Sequence, residues 1–467
     1  MTDARRVAIV GGGLAGLAAA IALTERRIPV TLFEARRQLG GRAGSFRDPA
    51  TGELIDHCQH VGLGCCTAWR DLFRRTGLDH LLREESILHF VLPGEGSCHF
   101  SASSWLPAPL HLAASFLRYP GLSLSELWSI GRNLDRLAAL RIPDDADQPT
   151  IGTWLTAQGE SANAQRRFWG VVITSALSES LERASFTAAR KVFVDGFMAS
   201  ADGYRMVVPN VPLATLYEEL ANWLRTRGAT VRLGCPVRQI EGTDERATQL
   251  ALAGEESAGA DAFLLAAPWH QAAGLLSQTL RAAVPQVSLA EQLSSAPITA
   301  VHLWWDRPLS AERHAVVIDR LTQWVFRRDS ASSESNEHYY QAVISDSGFL
   351  AGRPREEIVA EVVRDIGEIW PAAREAELVR SRVVTQQDAV FSPLPGSIQL
   401  RPEQATAIPN LFLAGDWTIT GWPATMESAV RSGYLAASAL LRSFGEEAFE
   451  IPEAAPAWIA RWRGWKE

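Results

Sequence analysis

Four glycines within six residues set the terms for this chain. Val7-Ala8-Ile9-Val10 is a short apolar run of buried-strand type that leads straight into Gly11-Gly12-Gly13-Leu14-Ala15-Gly16. The residues that follow, Leu17 to Leu23, are strong helix formers. G-x-G-x-x-G between a strand and a helix is the fingerprint of a dinucleotide cradle. Gly11 permits the tight turn, Gly13 lets backbone approach a pyrophosphate, and Gly16 lets helix and strand pack closely. Leu14 and Ala15 open the helix, whose free N–H groups and positive dipole end suit phosphates. A second strand, Pro29 to Phe33, ends at Glu34-Ala35, which places the Glu34 carboxylate to accept ribose hydroxyls. Arg5 and Arg6 followed by the uncharged run Val7 to Thr24 have the outward form of a signal peptide or membrane span. The glycines break that run into strand, turn and helix. The other long uncharged stretch, Ala262 to Leu280, contains Pro268, His270 and Gln271 and reads as strand-turn-helix, so no segment calls for a bilayer core.

The chain has 467 residues, room for two or three domains at about 150 residues each. Its 47% hydrophobic and 21% charged residues exclude a disordered or collagen-like chain, and a net charge of −8 argues against a nucleic-acid-coating protein. Cys58, Cys65, Cys66, Cys98 and Cys235 are too few for a disulfide scaffold and point to a reducing, cytoplasmic setting. The 16 tryptophans, against 6 tyrosines and 4 methionines, favour an apolar cavity or a membrane interface.

Gly40-Gly41-Arg42 follows the second strand, and such a turn can bring backbone and a guanidinium to a pyrophosphate. Near the far end, Asn410 to Ala414 is another apolar strand, ending in Gly415-Asp416. After it come Gly421-Trp422-Pro423-Ala424-Thr425-Met426-Glu427 and a helix rich in small residues. This combination resembles the flavin-containing amine oxidase and carotenoid desaturase superfamily across nearly the whole chain. The resemblance implies FAD, with Gly415 and Asp416 at the ribityl chain and phosphate, backbone near Met426 at the pyrimidine edge, and Val237 against adenine. It also implies an α/β fold: a discontinuous Rossmann-like FAD-binding domain with an inserted α+β substrate domain. The cofactor domain is expected over 1–75, 206–285 and 385–445, the substrate domain over 76–205 and 286–384, and a tail over 446–467.

The first insert reads as helical, with Leu124, Leu127, Trp128, Gly131, Leu134 and Ala138 on one helical face. The second opens with strands at Thr299–Trp305, His314–Ile318, Thr322–Phe326 and Tyr339–Ser345. A helix beginning near Pro354 and a Ser-rich mobile loop over 327–336 complete it. Neither insert repeats the strand-glycine-helix fingerprint, so electrons for a reduced flavin are expected from a separate donor.

Asp56-His57-Cys58-Gln59-His60-Val61-Gly62-Leu63-Gly64-Cys65-Cys66-Thr67 is the most distinctive stretch. Its spacing holds no C-x-x-C or H-x-x-x-H pair, so no metal is expected. The stretch, together with Phe168-Trp169 and the segment Gly421 to Ala429, resembles the hydroxysqualene dehydroxylase family of bacterial flavoproteins, which acts in squalene and hopanoid synthesis. It departs from that family at Gly62-Leu63, where bulkier residues are expected. The resemblance implies reductive removal of the allylic hydroxyl of hydroxysqualene, giving squalene. An oxidative phytoene-type desaturase and a non-enzymatic prenyl-binding escort are the alternatives. The reaction needs an acid, for which His60 is the first candidate with Asp56 and Gln59 orienting it. It also needs an aromatic wall, for which Phe168, Trp169, Trp304, Trp305 and Trp422 are candidates. A thirty-carbon substrate resides in a membrane, and Trp458, Trp462 and Trp465 beside Arg461, Arg463 and Lys466 have the form of an interfacial anchor on its inner face. Leu106 to Tyr119 is a second candidate contact.

Overall fold

An all-apolar strand needs cover on both faces, and Val7–Val10 finds it at the centre of a five-stranded parallel sheet. The computed structural model describes residues 5–49, 51–140, 149–328 and 337–465. It orders this sheet Thr230–Arg232, Val30–Phe33, Val7–Val10, Ala262–Leu265, Leu411–Leu413, with Ile9 beside Leu32 on one side and Leu264 on the other. The chain therefore enters one sheet at its start, middle and end, and the turns carrying Gly11 and Gly415 lie at the same carboxyl edge. Helix Leu14–Glu25 is buried on every side except at its last residue. It is sandwiched against helix Met426–Ser443, where any Cβ on Gly433 would collide with the Ala15 carbonyl oxygen.

The second large sheet has seven strands, ordered Leu378–Phe391, Ser295–Trp305, His338–Ser345, Trp324–Arg328, His314–Val317, Leu88–Leu92 and Gly96–Phe100. Its last two strands correct the expectation of a helical first insert. Leu88–Phe100 is a hairpin that joins the later strands through parallel pairing of Phe90 with Val316. The alternation Leu88, Phe90, Leu92 and the turn glycines Gly94 and Gly96 are its sequence signal. Strand Leu378–Phe391 also runs past the expected boundary at residue 384, held by Ser295–Trp305 along its length.

Helix Leu124–Ala139 starts at a capping box built by Ser123 and Glu126. It buries Leu127, Ile130, Leu137 and Ala138, whereas Leu124 and Trp128 (68% exposed) face outward, so the apolar face read from sequence is rotated. Helix Arg355–Ile369 lies as expected, packing Ile358, Val362 and Ile366 on the outer face of the seven-stranded sheet. In the tail, helix Trp458–Trp462 leaves Trp458 and Trp462 exposed, but Trp465 is buried with Ala138, Val194 and Met198, and Arg190 donates to its carbonyl at 3.2 Å. Trp465 is thus a packing residue and not part of an exposed stripe. Lys466 and residues 329–336 of the Ser-rich loop lie outside the described residues. Among the described residues no helix is long and apolar enough to cross a membrane.

His302, buried in the seven-stranded sheet, binds the Tyr339 hydroxyl through Nδ1 at 2.7 Å. Burial, aided by the charges of Arg382 and Arg328, pushes its imidazole down to about 3. The unfolded chain takes up a proton below pH ~6.5 that the folded chain refuses, so this stability is intact above ~6.5 and drains at about 1.4 kcal/mol per pH unit on acidification. Between pH 7 and pH 5, a His302→Gln variant should lose about 2 kcal/mol less unfolding free energy than its parent in denaturant titrations. Parallel losses in the two proteins would show that His302 is not the group titrating.

Candidate active site

The glycine turn has the form a pyrophosphate requires. Gly11 holds φ +111°, a conformation closed to most side chains, and a Cβ there would stand 2.5 Å from the Ala266 carbonyl oxygen. Gly16 abuts the Gly11 carbonyl, which leaves no room for a methyl group and seats the helix on the strand. A Cβ on Gly13 would meet nothing within 4 Å, since Gly13 opens onto the cavity with Leu14 and Ala15. The helix has neither a side-chain cap nor an acidic residue in its first turn, so its leading N–H groups remain available to an anion. Glu34 accepts from Gly12 N at 2.7 Å and Arg36 N at 2.8 Å, which fixes its carboxylate at the mouth of the cleft with lone pairs to spare for hydroxyls.

Ala35, Gly41, Arg42, Val237, Gly415, Asp416, Trp422 and Met426 line the same cavity. The Arg42 guanidinium pairs with the buried Asp416 carboxylate and lies 5.0 Å from the Trp269 ring, so the early and late motifs meet across the cleft. Ser432 Oγ accepts from Gly415 N at 2.8 Å and Ser428 Oγ donates to the Asp416 carbonyl at 3.1 Å, tying the late turn to helix Met426–Ser443. An uncapped helix start, an open glycine, an acid at the second strand end and a cation–acid pair across the gap fit an extended dinucleotide.

From this cleft the cavity, ≈ 600 Å³, continues without interruption into an apolar chamber walled by Phe90, Val172, Phe197, Val316, Trp324 and Phe326. Trp324 and Phe326 sit two apart on one strand and stack in parallel, centroids 5.4 Å apart, with Trp324 Nε1 donating to Ser175 Oγ at 2.8 Å. Among the expected wall residues only Trp422 lines the chamber. Phe168 and Trp169 are helical core, Trp169 packing on Phe193 and donating to Glu160 at 3.2 Å. Trp304 stacks under Arg380 at 3.7 Å and beside Tyr339, while Trp305 points into the opposite core.

Gln59 and His60 reach the cavity; Asp56 does not. Asp56 accepts from Ser45 Oγ at 2.6 Å and from Leu213 N at 3.0 Å, and pairs with Arg328, so it caps helix Leu213–Thr226 instead of orienting His60. His60 Nδ1 donates to the Cys58 carbonyl at 2.9 Å, and burial lowers its pKa from the ordinary value. Near neutrality the ring is uncharged with Nε2 as a bare acceptor, the reverse of the acid expected of it. Burial pushes the Cys58 thiol up to about 12, and the hydrogen bond that the Cys66 thiol donates to Cys65, with burial, raises Cys66 too, so Cys58 and Cys66 are protonated packing groups. Where bulk was expected at position 62, a Cβ would stand 2.6 Å from the Trp69 ring; the indole supplies the volume.

Lys191 was missed. It lines the cavity with Nζ 3.2 Å from Asp195 and 4.6 Å from the centroid of the Trp422 ring. Its signal was compositional: Lys191 and Lys466 are the only lysines among 45 basic residues.

Fold and site together define a flavin-dependent oxidoreductase with a chamber for an apolar substrate. The chain belongs to the flavin containing amine oxidoreductase family, which it matches over residues 14–441. It is 29% identical over 461 residues to a hydroxysqualene dehydroxylase of Sinorhizobium fredii, covering 94% of this chain and 98% of that one. Against a probable zeta-carotene desaturase of Synechococcus elongatus it is 27% identical, covering 94% and 99%. The fold superimposes on an oxidoreductase from Methanosarcina mazei with a TM-score of 0.70 at 15% identity, covering 92% of this chain and 98% of that one. The cofactor is FAD. Glu34→Ala should weaken FAD retention by about ten- to a hundredfold through loss of a charged acceptor, read as the flavin absorbance that survives gel filtration. Full retention would place the ribose elsewhere.

Proposed function

We propose that this oxidoreductase removes the allylic hydroxyl of hydroxysqualene reductively, giving squalene and water. The reading is carried by one observation, a lysine at the cofactor end of a largely apolar, aromatic-walled chamber. The Sinorhizobium fredii relative supports it by name. A polyene desaturation has no leaving group to protonate and gives Lys191 nothing to do. In this reading residues 1–75, 206–285 and 385–445 hold the cofactor, and 76–205 with 286–384 hold the substrate.

Bound in its reduced form, FAD supplies the two electrons and the hydrogen that take the place of the hydroxyl group. Lys191 donates to the hydroxyl oxygen and gives it a proton as the C–O bond breaks, so that water leaves instead of hydroxide. Asp195, 3.2 Å from Nζ, holds the ammonium in place. Uncharged His60 accepts the hydroxyl hydrogen at Nε2 and so orients the oxygen, with Gln59 bracing the loop by donating to the His60 carbonyl at 3.2 Å. Trp324 and Phe326 offer ring faces to the electron-poor allylic carbon, and the apolar walls keep water from capturing it. The electrons would come to the flavin from a separate donor.

In an anaerobic assay with photoreduced enzyme and hydroxysqualene, squalene should form. Lys191→Met should slow turnover by about 10²–10⁴-fold while keeping bound FAD, and Lys191→Arg should stay slow because arginine does not release its proton. Normal turnover by Lys191→Met would remove the lysine from the reaction. Polyene desaturation by the oxidised enzyme, without squalene formation, would favour the desaturase reading.

In this reading the enzyme works against the inner face of the cell membrane, where a thirty-carbon substrate resides. Trp105 (91% exposed), Leu110, Leu117, Leu124 and Trp128 are exposed within one segment. The tail helix carrying Trp462 (78% exposed) lies beside it, Ala460 packing with Ala138 and Arg463 bonding Asp135 at 2.8 Å. Trp105→Ser with Trp462→Ser should lower co-sedimentation with anionic liposomes severalfold without altering the melting temperature. Unchanged partitioning would remove this face as the contact.

A further inference from the structure

On the face of the hairpin turned away from the chamber, two imidazoles and a carboxylate converge. His89 and His99 are directly opposite across the hairpin, ring centroids 4.6 Å apart. Glu312, in the loop before strand His314–Val317, places Oε1 3.6 Å from His89 Nδ1 and 3.7 Å from His99 Nε2. The three atoms lie within 4.8 Å of one another. Neither separation is a hydrogen bond, and the buried His89 Nδ1 has no hydrogen-bond partner. The other oxygen, Oε2, is held by Trp370 Nε1 at 3.3 Å and Ser310 Oγ at 3.3 Å, which aims Oε1 at the two rings.

Ligands at ~2.0–2.1 Å from a tetrahedral cation stand about 3.3–3.5 Å apart, close to the spacing found here. Two nitrogens and a single oxygen suit Zn²⁺ and its neighbours in the first transition row, and they are too few oxygens for Ca²⁺ or Mg²⁺. The carboxylate with its indole and hydroxyl donors has the outer support that metal ligands characteristically carry. We propose that His89, His99 and Glu312 bind one divalent transition-metal cation of the Zn²⁺ class, with the fourth position left to water beside His99, whose side chain is 63% exposed. Such an ion clasps hairpin Leu88–Phe100 to the loop of the second insert, where the strands themselves contribute only the pairings of Phe90 with Val316 and Val91 with Val317. Leu88 and Phe90 on the hairpin's other face line the chamber, so the clasp stiffens a substrate-facing wall without touching the flavin.

The test titrates chelator-treated full-length flavoprotein with Zn²⁺ alone, in competition with a chromophoric chelator of micromolar affinity. One equivalent should bind and raise the melting temperature. His99→Ala, which alters a largely exposed side chain, and Glu312→Gln should each weaken binding at least tenfold and abolish the thermal shift, with the flavin absorbance of both variants unchanged. Failure of the parent to compete with the chelator, or equal Zn²⁺ binding by parent and both variants, would overturn the site. Activity is not part of the readout, so the result does not depend on which substrate the chamber takes.

Discussion

Two helices aim their amino ends at one cleft, and where they cross backbone meets backbone. Gly433 lies on the Ala15 carbonyl at the crossing, while Gly16 lies on the Gly11 carbonyl where the first helix meets its strand, each without space for a single methyl. The contact brings helix Met426–Ser443 over helix Leu14–Glu25, so the start of one faces the glycine turn and the start of the other faces Trp422 and the chamber. Segments more than four hundred residues apart thereby build one binding surface. The Arg42–Asp416 pair is its electrostatic counterpart, joining the same two ends of the chain across the gap.

Glu427 extends the linkage to the distinctive cysteine-histidine stretch. Fully buried in the first turn of the late helix, it accepts from Ala68 N at 3.1 Å and Trp69 N at 2.9 Å, satisfying the leading N–H groups of helix Thr67–Thr76. Burial raises its pKa, and those two donors with Arg431 oppose the rise. One carboxylate thus ties the segment that follows Gln59 and His60 to the start of the late helix. The stretch is better understood as a positioned wall than as a ligand cluster: the Cys58 and Cys66 thiols are held protonated, and Asp56 is committed to capping a neighbouring helix.

The cofactor half was legible because its requirements are local. A strand, a glycine turn, a helix and a terminal acid occur in sequence order, and each of Gly11, Gly13, Gly16 and Glu34 stands where its chemistry predicts. The chamber was not legible, because its walls depend on which face of a strand or helix meets which neighbour. Trp304 and Trp305 alternate into two different environments, neither of them the cavity, while Trp324 and Phe326 share the face that counts. Likewise Leu124 and Trp128 fall on the outer side of their helix because Leu127, Ile130 and Leu137 already fill the contact with the core. Hydrophobic period reveals that a face exists; it does not say what the face covers.

The same reasoning explains why residue 62 is glycine. Shape beside His60 is a property of the volume filled, not of the residue that fills it. With Trp69 fully buried and its ring against Gly62, any side chain at 62 would have to displace the indole. Gly62 and Trp69 form one packing unit, and Trp69 N links it to the late helix through Glu427. A bulkier residue there requires a smaller partner at 69.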